Sequence, residues 1–450
     1  MFDETDVLRR GVAHQERKDY DLAIEAFSEA IKLNPKYCEA YYARGNCYES
    51  KGMHDRAIED YNTVLRFRPS EAAAYYNRGC AQEKRGERAA AVADFDRAIE
   101  LDPKYAKAYY NRGHLYFKKG DLDRALADYG EAIRHAPKDA DAYVSRGLVH
   151  MVRGQIGEAI ADYDRAIALN PKHLKAHGNR GNAFEAKGDY DTAITEYSEV
   201  IRLNPRDAKA YSNRAIALFK KDKVEEAIAD YSEAVRLNPK NGKTYCSRGI
   251  AYAKKRMTEQ AIADYDEAIR LEPRNCEAYV CRGTAKSALG WRDEALADHS
   301  EAVRINPKFA KAYYNRAIVH GLMGNHDRAI EDYTEVIRLA PNDEYAHGHR
   351  GVAYTRKGET SAALADFTEA IRLNPAYASA YYNRGLVHWI LGNVDLSIAD
   401  FTETIRINPA YVKAYHNRAL AYDRKGEKQK ARVDLDKAKQ LEARRAVTLP

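Results

Sequence analysis

The chain has 450 residues, of which 45% are hydrophobic and 31% charged, so it can build a folded core and is not a disordered chain. Its 73 basic and 67 acidic residues leave a net charge of +6, a mild excess that identifies no class of partner, nucleic acid included. No apolar run approaches the roughly 18 residues that a membrane span needs, and the first residues lack the apolar stretch of a secretion signal. We therefore expect a cytoplasmic protein with no membrane partner.

Proline marks a regular period along the chain. Twelve of the 13 prolines are spaced 34 residues apart, from Pro35 to Pro409, and a fixed period of this length indicates stacked structural repeats. We number the columns of the repeat 1 to 34 from Glu4, which gives thirteen uninterrupted repeats over residues 4–445 and short tails at 1–3 and 446–450. The repeats cover 4–37, 38–71, 72–105, 106–139, 140–173, 174–207, 208–241, 242–275, 276–309, 310–343, 344–377, 378–411 and 412–445.

Each repeat carries two apolar stripes with helical spacing. Columns 4, 8 and 11 form the first stripe and columns 20, 24, 27 and 28 the second, so each repeat is predicted to be a pair of amphipathic helices. Glycine at column 15 in ten repeats is expected to end the first helix in a left-handed conformation, and proline at column 32 to stop the second. Small residues at columns 8 and 20 beside rings at columns 4 and 24 predict close helix packing.

These columns resemble the tetratricopeptide repeat family over essentially the whole chain. The fourth repeat shows the pattern with Tyr109, Gly113, Ala125, Tyr129 and Pro137. The resemblance implies an all-α fold, a right-handed superhelical α-solenoid of helix-turn-helix repeats whose first helices line a concave groove. It also implies a non-enzymatic protein-protein interaction scaffold that binds a peptide or a partner segment in that groove.

Arginine occupies column 7 in all thirteen repeats, and column 23 is acidic in twelve. A basic ladder for phosphates is one interpretation. However, column 7 lies on the packing stripe between columns 4 and 11, where an unpaired arginine would be costly. We therefore predict structural ion pairs such as Arg214 with Asp230, formed within a repeat or between neighbours. The first repeat has Ala26 at column 23, so Arg10 is expected to be freer.

Columns 2, 5, 6, 9, 12 and 13 form the other face of the first helix, which the family resemblance places in the groove. Column 6 is asparagine in seven repeats and column 2 is lysine in six. Amides can hold the backbone of an extended peptide and lysines can bind its carboxylates, although a small polar residue on a solvated face is an alternative for column 6. The predicted peptide-binding site lies in repeats 6 to 8 and comprises Lys175, Asn179, Asn182, Lys209, Asn213, Lys220, Lys243, Ser247 and Lys254.

A secondary groove patch is predicted in repeats 2 to 4, where tyrosines at column 5 lie beside asparagines and a lysine. Tyrosine at this column is also typical of partly packed filler. The patch comprises Tyr42, Asn46, Tyr76, Asn77, Lys107, Tyr110 and Asn111.

The expected partner is an acidic peptide or protein segment. Chaperone-binding members of the family use a two-carboxylate clamp, which this chain matches at Asn182, Asn213 and Lys243 but not at Gly178 and Ser247. A chaperone adaptor that recognises a C-terminal carboxylate is therefore a narrower alternative. RNA binding along the same basic groove is a second hypothesis.

No motif for catalysis or metal binding is apparent in the sequence. Cys246 and Cys281 fall at groove columns of neighbouring repeats without a histidine at catalytic spacing, and His347 and His349 point apart on one helix. The repeats also leave no length for a catalytic domain. We expect no enzyme activity, no catalytic residue, no metal site and no cofactor.

The two end repeats must cover the faces of the stack. In the last repeat Leu435 and Lys439 replace the aromatic residue and the isoleucine of the second helix, which predicts a polar cap. Residues 446–450 are expected to be too short for a separate capping helix. The first repeat keeps an apolar second helix and is expected to be less well protected.

Overall fold

The structure is a computed structural model that describes residues 3–447, with side chains described up to residue 444. Within that range the chain forms 26 helices and no strand. None of the helices searched in the described residues is long and apolar enough to span a lipid bilayer. The chain divides into two compact units, Met1–Lys223 and Val224–Pro450, here called the N-terminal and C-terminal units. Their boundary falls within the predicted repeat 208–241.

Thirteen helices lie in the described part of the N-terminal unit. They are α1 (Glu4–Glu16), α2 (Tyr20–Leu33), α3 (Cys38–Ser50), α4 (His54–Phe67), α5 (Ala72–Arg85), α6 (Arg88–Leu101), α7 (Ala106–Lys119), α8 (Leu122–His135), α9 (Ala140–Val152), α10 (Ile156–Leu169), α11 (Leu174–Lys187), α12 (Tyr190–Leu203) and α13 (Ala208–Lys220).

Another thirteen helices lie in the described part of the C-terminal unit. They are α14 (Val224–Leu237), α15 (Gly242–Lys254), α16 (Thr258–Leu271), α17 (Cys276–Ala288), α18 (Arg292–Ile305), α19 (Ala310–Leu322), α20 (His326–Leu339), α21 (Glu344–Lys357), α22 (Thr360–Leu373), α23 (Ala378–Ile390), α24 (Val394–Ile407), α25 (Val412–Arg424) and α26 (Lys428–Val447).

In each unit the helices stack as helix-turn-helix repeats, so each unit is an all-α solenoid. Odd-numbered helices are the first helices of the predicted repeats and even-numbered helices the second ones. Inside a unit, each second helix packs against the first helix of its own repeat and of the next repeat, as α4 does against α3 and α5. Because each repeat contacts mainly its neighbours, the buried core runs along the stack as a series of local clusters.

The turn between the two helices of a repeat has the same conformation throughout the described chain. All ten glycines at column 15 have a positive φ, for example 87° at Gly86, where the left-handed residue ends α5. The three repeats that lack this glycine keep the conformation with Lys18, Asp222 and Arg256 at φ values of 60° to 64°. The predicted left-handed turn is therefore confirmed, and it holds even where the side chain disfavours it.

Close packing between the two helices of a repeat depends on column 8. At Gly351, an added Cβ would lie 2.8 Å from Cε1 of the Phe367 ring at column 24, which is fully buried. Glycine or alanine at this column therefore allows the first helix to rest against the ring of the second. The predicted pairing of small residues with large rings is confirmed here.

We expect Gly351→Leu to lower the free energy of unfolding of the C-terminal unit by about 1 to 3 kcal/mol, because the larger side chain overpacks the contact with Phe367. Urea unfolding measures the change. Gly351→Ala is the matched control with a smaller expected effect, since the chain itself carries Ala317 at this column opposite Tyr333. An equal loss in both variants would show that the Cβ alone overpacks the contact and that the rest of the leucine side chain adds nothing.

Column 24 holds one side chain that is not a simple packing residue. His299 takes the place of the aromatic ring, is 0% exposed and has no hydrogen-bond partner for Nδ1 or Nε2 among the described residues. Burial lowers the pKa of His299 from its ordinary value of 6.5 to about 4. The imidazole is therefore neutral at pH 7.

The column 7 arginines form ion pairs in both units. In eleven repeats of the described chain the guanidinium contacts the column 23 carboxylate sixteen residues later. In a typical pair, Nε and Nη2 of Arg78 donate to Oδ2 and Oδ1 of Asp94 at 2.7 and 2.6 Å. This hydrogen bonding raises the pKa of Arg78 against the opposing effect of burial. The prediction of structural pairs is confirmed in these repeats.

The same arginines also connect neighbouring repeats. Nη1 of Arg78 donates to Asn62 Oδ1 at 2.6 Å, sixteen residues before it in the preceding repeat. Nη1 of Arg214 makes the equivalent bond to Ser198 Oγ at 3.0 Å. Asp230 belongs to the C-terminal unit, so the pairing of Arg214 with Asp230 stays a prediction. Arg10, which lacks the column 23 acid, contacts Glu29 instead.

The two ends of the stack are polar. At the N-terminal end Asp6 of α1 is exposed at column 3, where later repeats bury alanine, and the buried Ala26 and Ala30 of α2 pack against Ala40 of the second repeat. The first helix α1 forms this end face, and Val12 on it is 38% exposed, so the expectation that the first repeat is less well protected stays a prediction. At the other end α26 is longer than the other second helices, and His416 Nε2 lies 3.0 Å from Glu442 Oε1 on that helix.

Candidate functional site

Five of the nine residues of the predicted main site line a single cavity in the N-terminal unit. The cavity has a volume of about 180 Å³ and lies between α11, α12 and α13. Its predicted members are Lys175, Asn179, Asn182, Lys209 and Asn213. Sequence reasoning did not identify the others, which are Leu174, Gly178, Tyr197, Val200, Asp207 and Ala210.

The remaining four predicted residues do not line this cavity. Lys220 is exposed near the end of α13, away from the cavity wall. Lys243, Ser247 and Lys254 belong to the C-terminal unit, so their participation stays a prediction.

The cavity is open because Gly178 has no side chain. Gly178 occupies column 5, where five repeats carry tyrosine, and an added Cβ would have only Val200 Cγ2 within 4 Å, at 3.9 Å. Asp207 at column 34 also leaves space, because its side chain is shorter than the tyrosine that some other repeats carry at this column. In repeat 11, Gly348 also occupies column 5, but the Tyr377 ring at column 34 fills the space, with Cε1 2.8 Å from the position of a Cβ. A cavity beside Tyr42 in repeat 2 is not lined by Asn46 or Asn77, so glycine at column 5 is what lets the Gly178 cavity reach Asn182 and Asn213.

One wall of the cavity is a hydrogen-bonded group of polar side chains. Asn182 Oδ1 accepts from Asn213 Nδ2 at 3.1 Å and lies 2.8 Å from the Tyr197 hydroxyl, which also lies 2.9 Å from Glu185 Oε2. Burial and the Glu185 carboxylate raise the pKa of Tyr197, so its hydroxyl remains protonated. Among the described residues, Asn179 and the Asn182 amide nitrogen have no side-chain partner. These groups are available to a ligand.

The cavity rim carries two lysines and one aspartate. Lys175 and Lys209 are exposed, and neither forms an ion pair among the described residues. Asp207 accepts the backbone N–H groups of Lys209 and Ala210, both at 3.0 Å, and so caps the N-terminus of α13. The Asp207 carboxylate is therefore partly satisfied by its bonds to the helix N-terminus, and the two lysines and one aspartate give the rim a net positive charge.

Sequence models of one repeat family match most of the chain. Those described as Tetratricopeptide repeat match residues 8–72, 110–173, 162–195, 179–242, 242–275, 310–343, 378–411 and 412–444. A model described as TPR repeat matches residues 83–120 and 351–392. The chain belongs to the tetratricopeptide repeat family. Arrays of such repeats present extended concave surfaces for protein partners, and this tetratricopeptide array is a protein-interaction scaffold.

Several solved structures are similar to this tetratricopeptide array. MamA shares 29% sequence identity over 36% of this chain and 96% of its own, with a TM-score of 0.35. The TPR protein YrrB shares 26% identity over 41% of this chain and 95% of its own, with a TM-score of 0.36. Yeast Tom70 shares 18% identity over 98% of this chain and 96% of its own, with a TM-score of 0.43. The comparison with curated proteins found no match.

Four column 6 asparagines of the tetratricopeptide repeats bond to the preceding repeat in the described chain: Asn77, Asn111, Asn213 and Asn417. Asn77 Nδ2 donates to the Tyr42 hydroxyl at 2.8 Å and to Asn46 Oδ1 at 3.0 Å, which uses both amide hydrogens. Asn111 likewise donates to the Tyr76 hydroxyl and to Cys80 Sγ. The amide ladder therefore joins first helices to one another, and in these two repeats only the amide oxygens remain for a ligand.

The secondary patch is mainly an inter-repeat network. Besides the bonds of Asn77 and Asn111, the Tyr110 hydroxyl lies 3.1 Å from Ser145 Oγ, and the Tyr42 ring packs 6.0 Å from the Tyr61 ring, measured between centroids. These tyrosines are partly packed filler, the alternative that the sequence left open. Lys107 is the patch residue that stays exposed and has no hydrogen bond or ion pair among the described residues.

A cavity of about 240 Å³ lies next to Tyr42, where the charges differ from those at Gly178. Glu39 and Ala73 occupy the column 2 positions that Lys175 and Lys209 hold, and Glu71 occupies column 34. Glu39 pairs with Arg68 at 2.5 Å. This part of the groove is acidic and does not suit a carboxylate.

The cysteines and histidines noted in the sequence make local contacts in the C-terminal unit. A hydrogen bond with Cys281, together with burial, raises the pKa of the Cys246 thiol. His347 Nδ1 lies 3.2 Å from Asp366 Oδ1, and His349 stacks on Tyr333 with 5.8 Å between centroids. In the described part of the chain no cluster of His, Cys, Asp or Glu could hold a metal ion.

Proposed function

We propose that this scaffold binds an extended acidic peptide or protein segment in the groove of its N-terminal unit, at the cavity beside Gly178. The observation that carries the proposal is the meeting of Lys175, Lys209 and three asparagines around one cavity. Lysines with no partner attract carboxylates, and amides with unused donors and acceptors hold the backbone of an extended chain.

The mixed charge of the rim favours a peptide over RNA. A polynucleotide presents a phosphate at every residue and binds best along a continuous basic surface. Here Asp207 lines the same cavity as the two lysines, and the corresponding position near Tyr42 carries Glu71. A peptide can place its acidic residues only where the lysines are. The clamp of chaperone-binding relatives is a narrower candidate, but Gly178 occupies the position of its first lysine.

Reversing the charge of the rim tests the proposal. We expect Lys175→Glu with Lys209→Glu to weaken binding of a fluorescein-labelled peptide of alternating Glu and Gly about tenfold or more, because attraction becomes repulsion. Fluorescence anisotropy at physiological salt measures the dissociation constant.

The matched control is Lys138→Glu with Lys172→Glu, which makes the same change of net charge at exposed turn residues outside the cavity. An equal loss in both double variants, or no loss in either, would contradict the site. If a single-stranded RNA binds more tightly than the peptide, with steep salt dependence, the RNA hypothesis replaces the proposal.

A further inference from the structure

We propose that the cavity beside Gly178 takes a tyrosine side chain of the bound segment, so that the ligand combines a tyrosine with acidic residues. This inference rests on the proposed function and adds the identity of an anchoring residue. The reason is that repeats 2 to 3 and repeats 6 to 7 build the same constellation of side chains, except that one tyrosine is missing from the second.

The complete constellation lies at repeats 2 to 3. Asn77 Nδ2 donates to Asn46 Oδ1 at 3.0 Å and to the Tyr42 hydroxyl at 2.8 Å. The Tyr61 hydroxyl donates to the same Asn46 oxygen at 2.8 Å. The Tyr42 ring therefore rests in the groove with its hydroxyl held by the asparagine of the next repeat.

The incomplete constellation lies at repeats 6 to 7. Asn213 Nδ2 donates to Asn182 Oδ1 at 3.1 Å, and the Tyr197 hydroxyl lies 2.8 Å from that oxygen, so three of the four side chains are reproduced. Gly178 stands at the column of Tyr42. The second amide hydrogen of Asn213, which corresponds to the one that Asn77 gives to Tyr42, has no acceptor among the described residues.

An aromatic ring is the usual occupant of this place in the groove. Tyrosine at column 5 lies there in repeats 3 and 12 too, where the hydroxyls of Tyr76 and Tyr382 accept from asparagines at 3.1 and 2.8 Å. In repeat 11, which also has glycine at column 5, the Tyr377 ring fills the space from column 34. At Gly178 neither column supplies a ring, so the place is left to a ligand.

The size and lining of the cavity fit one side chain. Its volume of about 180 Å³ lies below the ~300 Å³ at which small-molecule sites begin. Val200, which is 4% exposed, and Leu174, which is 37% exposed, provide apolar contacts for a ring. The asparagine wall provides the polar contact that a phenol hydroxyl needs.

Peptides that differ at one position test the inference. In the alternating Glu and Gly peptide, one central Gly is replaced by Phe or by Tyr. We expect the Phe peptide to bind the unmodified protein about tenfold more tightly than the Gly peptide, and the Tyr peptide about fivefold more tightly again because of its hydroxyl. Fluorescence anisotropy measures all three dissociation constants.

Two variants show whether the gain comes from this cavity. Gly178→Tyr copies the residue of five other repeats and is expected to remove the advantage of both aromatic peptides over the Gly peptide. Asn213→Ala is expected to remove the preference for Tyr over Phe. Helical circular dichroism checks that both variants fold.

The outcomes separate this inference from the proposed function. Loss of all binding in the Lys175→Glu, Lys209→Glu variant supports only the function. An equal affinity for the three peptides, or a Tyr advantage that persists in Gly178→Tyr, would overturn the inference and leave the function standing. If none of the peptides binds, the proposed function fails, and ligand-observed NMR with p-cresol tests the tyrosine cavity separately. Binding of p-cresol to the unmodified protein but not to Gly178→Tyr supports the inference. No binding of p-cresol to the unmodified protein overturns it.

Discussion

Replacing Arg78 with methionine is expected to lower the free energy of unfolding of the N-terminal unit by about 2 to 3 kcal/mol. The variant leaves the Asp94 carboxylate, 8% exposed, without the two guanidinium bonds that hold it, and removes the bond to Asn62. Breaking a buried pair costs about 3 to 5 kcal/mol, and we expect less because 20% of the arginine side chain reaches water. Urea unfolding gives the total change, and hydrogen exchange locates it in α5 and α6.

A second substitution distinguishes a structural pair from a simple loss of packing. Adding Asp94→Leu to Arg78→Met removes the stranded carboxylate, so the double variant is expected to be more stable than Arg78→Met alone. A double variant that is destabilised by the sum of the two single changes would show that the partners do not interact. Unchanged stability in Arg78→Met would contradict the structural role altogether.

The C-terminal unit is expected to lose stability as the pH falls from about 6.5 to about 4, because His299 is buried in its neutral form. The unfolded chain binds a proton at this histidine below its ordinary pKa of 6.5, whereas the folded chain does so only near pH 4. Stability from this group is therefore complete above pH 6.5 and falls by about 2 kcal/mol at pH 5 and about 3 kcal/mol at pH 4. Asp298 and Arg316 act on the imidazole in opposite directions.

Replacing His299 with phenylalanine isolates this effect from other titrating groups. The variant restores the ring type that other repeats carry at column 24 and removes two buried nitrogens without partners, so we expect higher stability at pH 7 as well, by about 1 kcal/mol or more. Urea midpoints of both proteins at pH 7.5 and pH 5 give the comparison. The same pH dependence in both would show that the buried imidazole is not its source.

Much of the fold was predictable because the same residue pattern recurs in each 34-residue repeat. The position of glycine at column 15 predicted the left-handed turn, and the position of column 7 on the packing stripe predicted the ion pairs. The conformation at Lys18 and Arg256 shows how strong the shared geometry is, since the packing of the two helices holds a left-handed residue even without glycine. These features could be recognised because each repeat packs against equivalent neighbours, so the same residue type recurs at the same column.

The candidate site was predictable only in part, because a cavity depends on what is missing. The variable lysines and asparagines of α11 and α13 pointed to the correct part of the groove. A missing side chain gives no positive signal in a sequence, however, so Gly178 was identified only as a mismatch to the carboxylate clamp. Asp207 at column 34 was not among the predicted groove columns. The use of Asn77 between repeats also depends on a distance across two helices, which a pattern within one helix does not give.

The dependence of the Gly178 cavity on two columns has a consequence for how such arrays change partners. Columns 5 and 34 lie outside the contact between columns 8 and 24 and outside the arginine pairs, so a change at column 5 leaves both of these helix contacts in place, although it removes a bond such as that of Asn77 to Tyr42. If the cavity binds as proposed, loss of one column 5 tyrosine from a duplicated repeat creates a place for a tyrosine of a ligand. A new specificity could then arise in one repeat at a time, while the neighbouring repeats keep the packing that folds the chain.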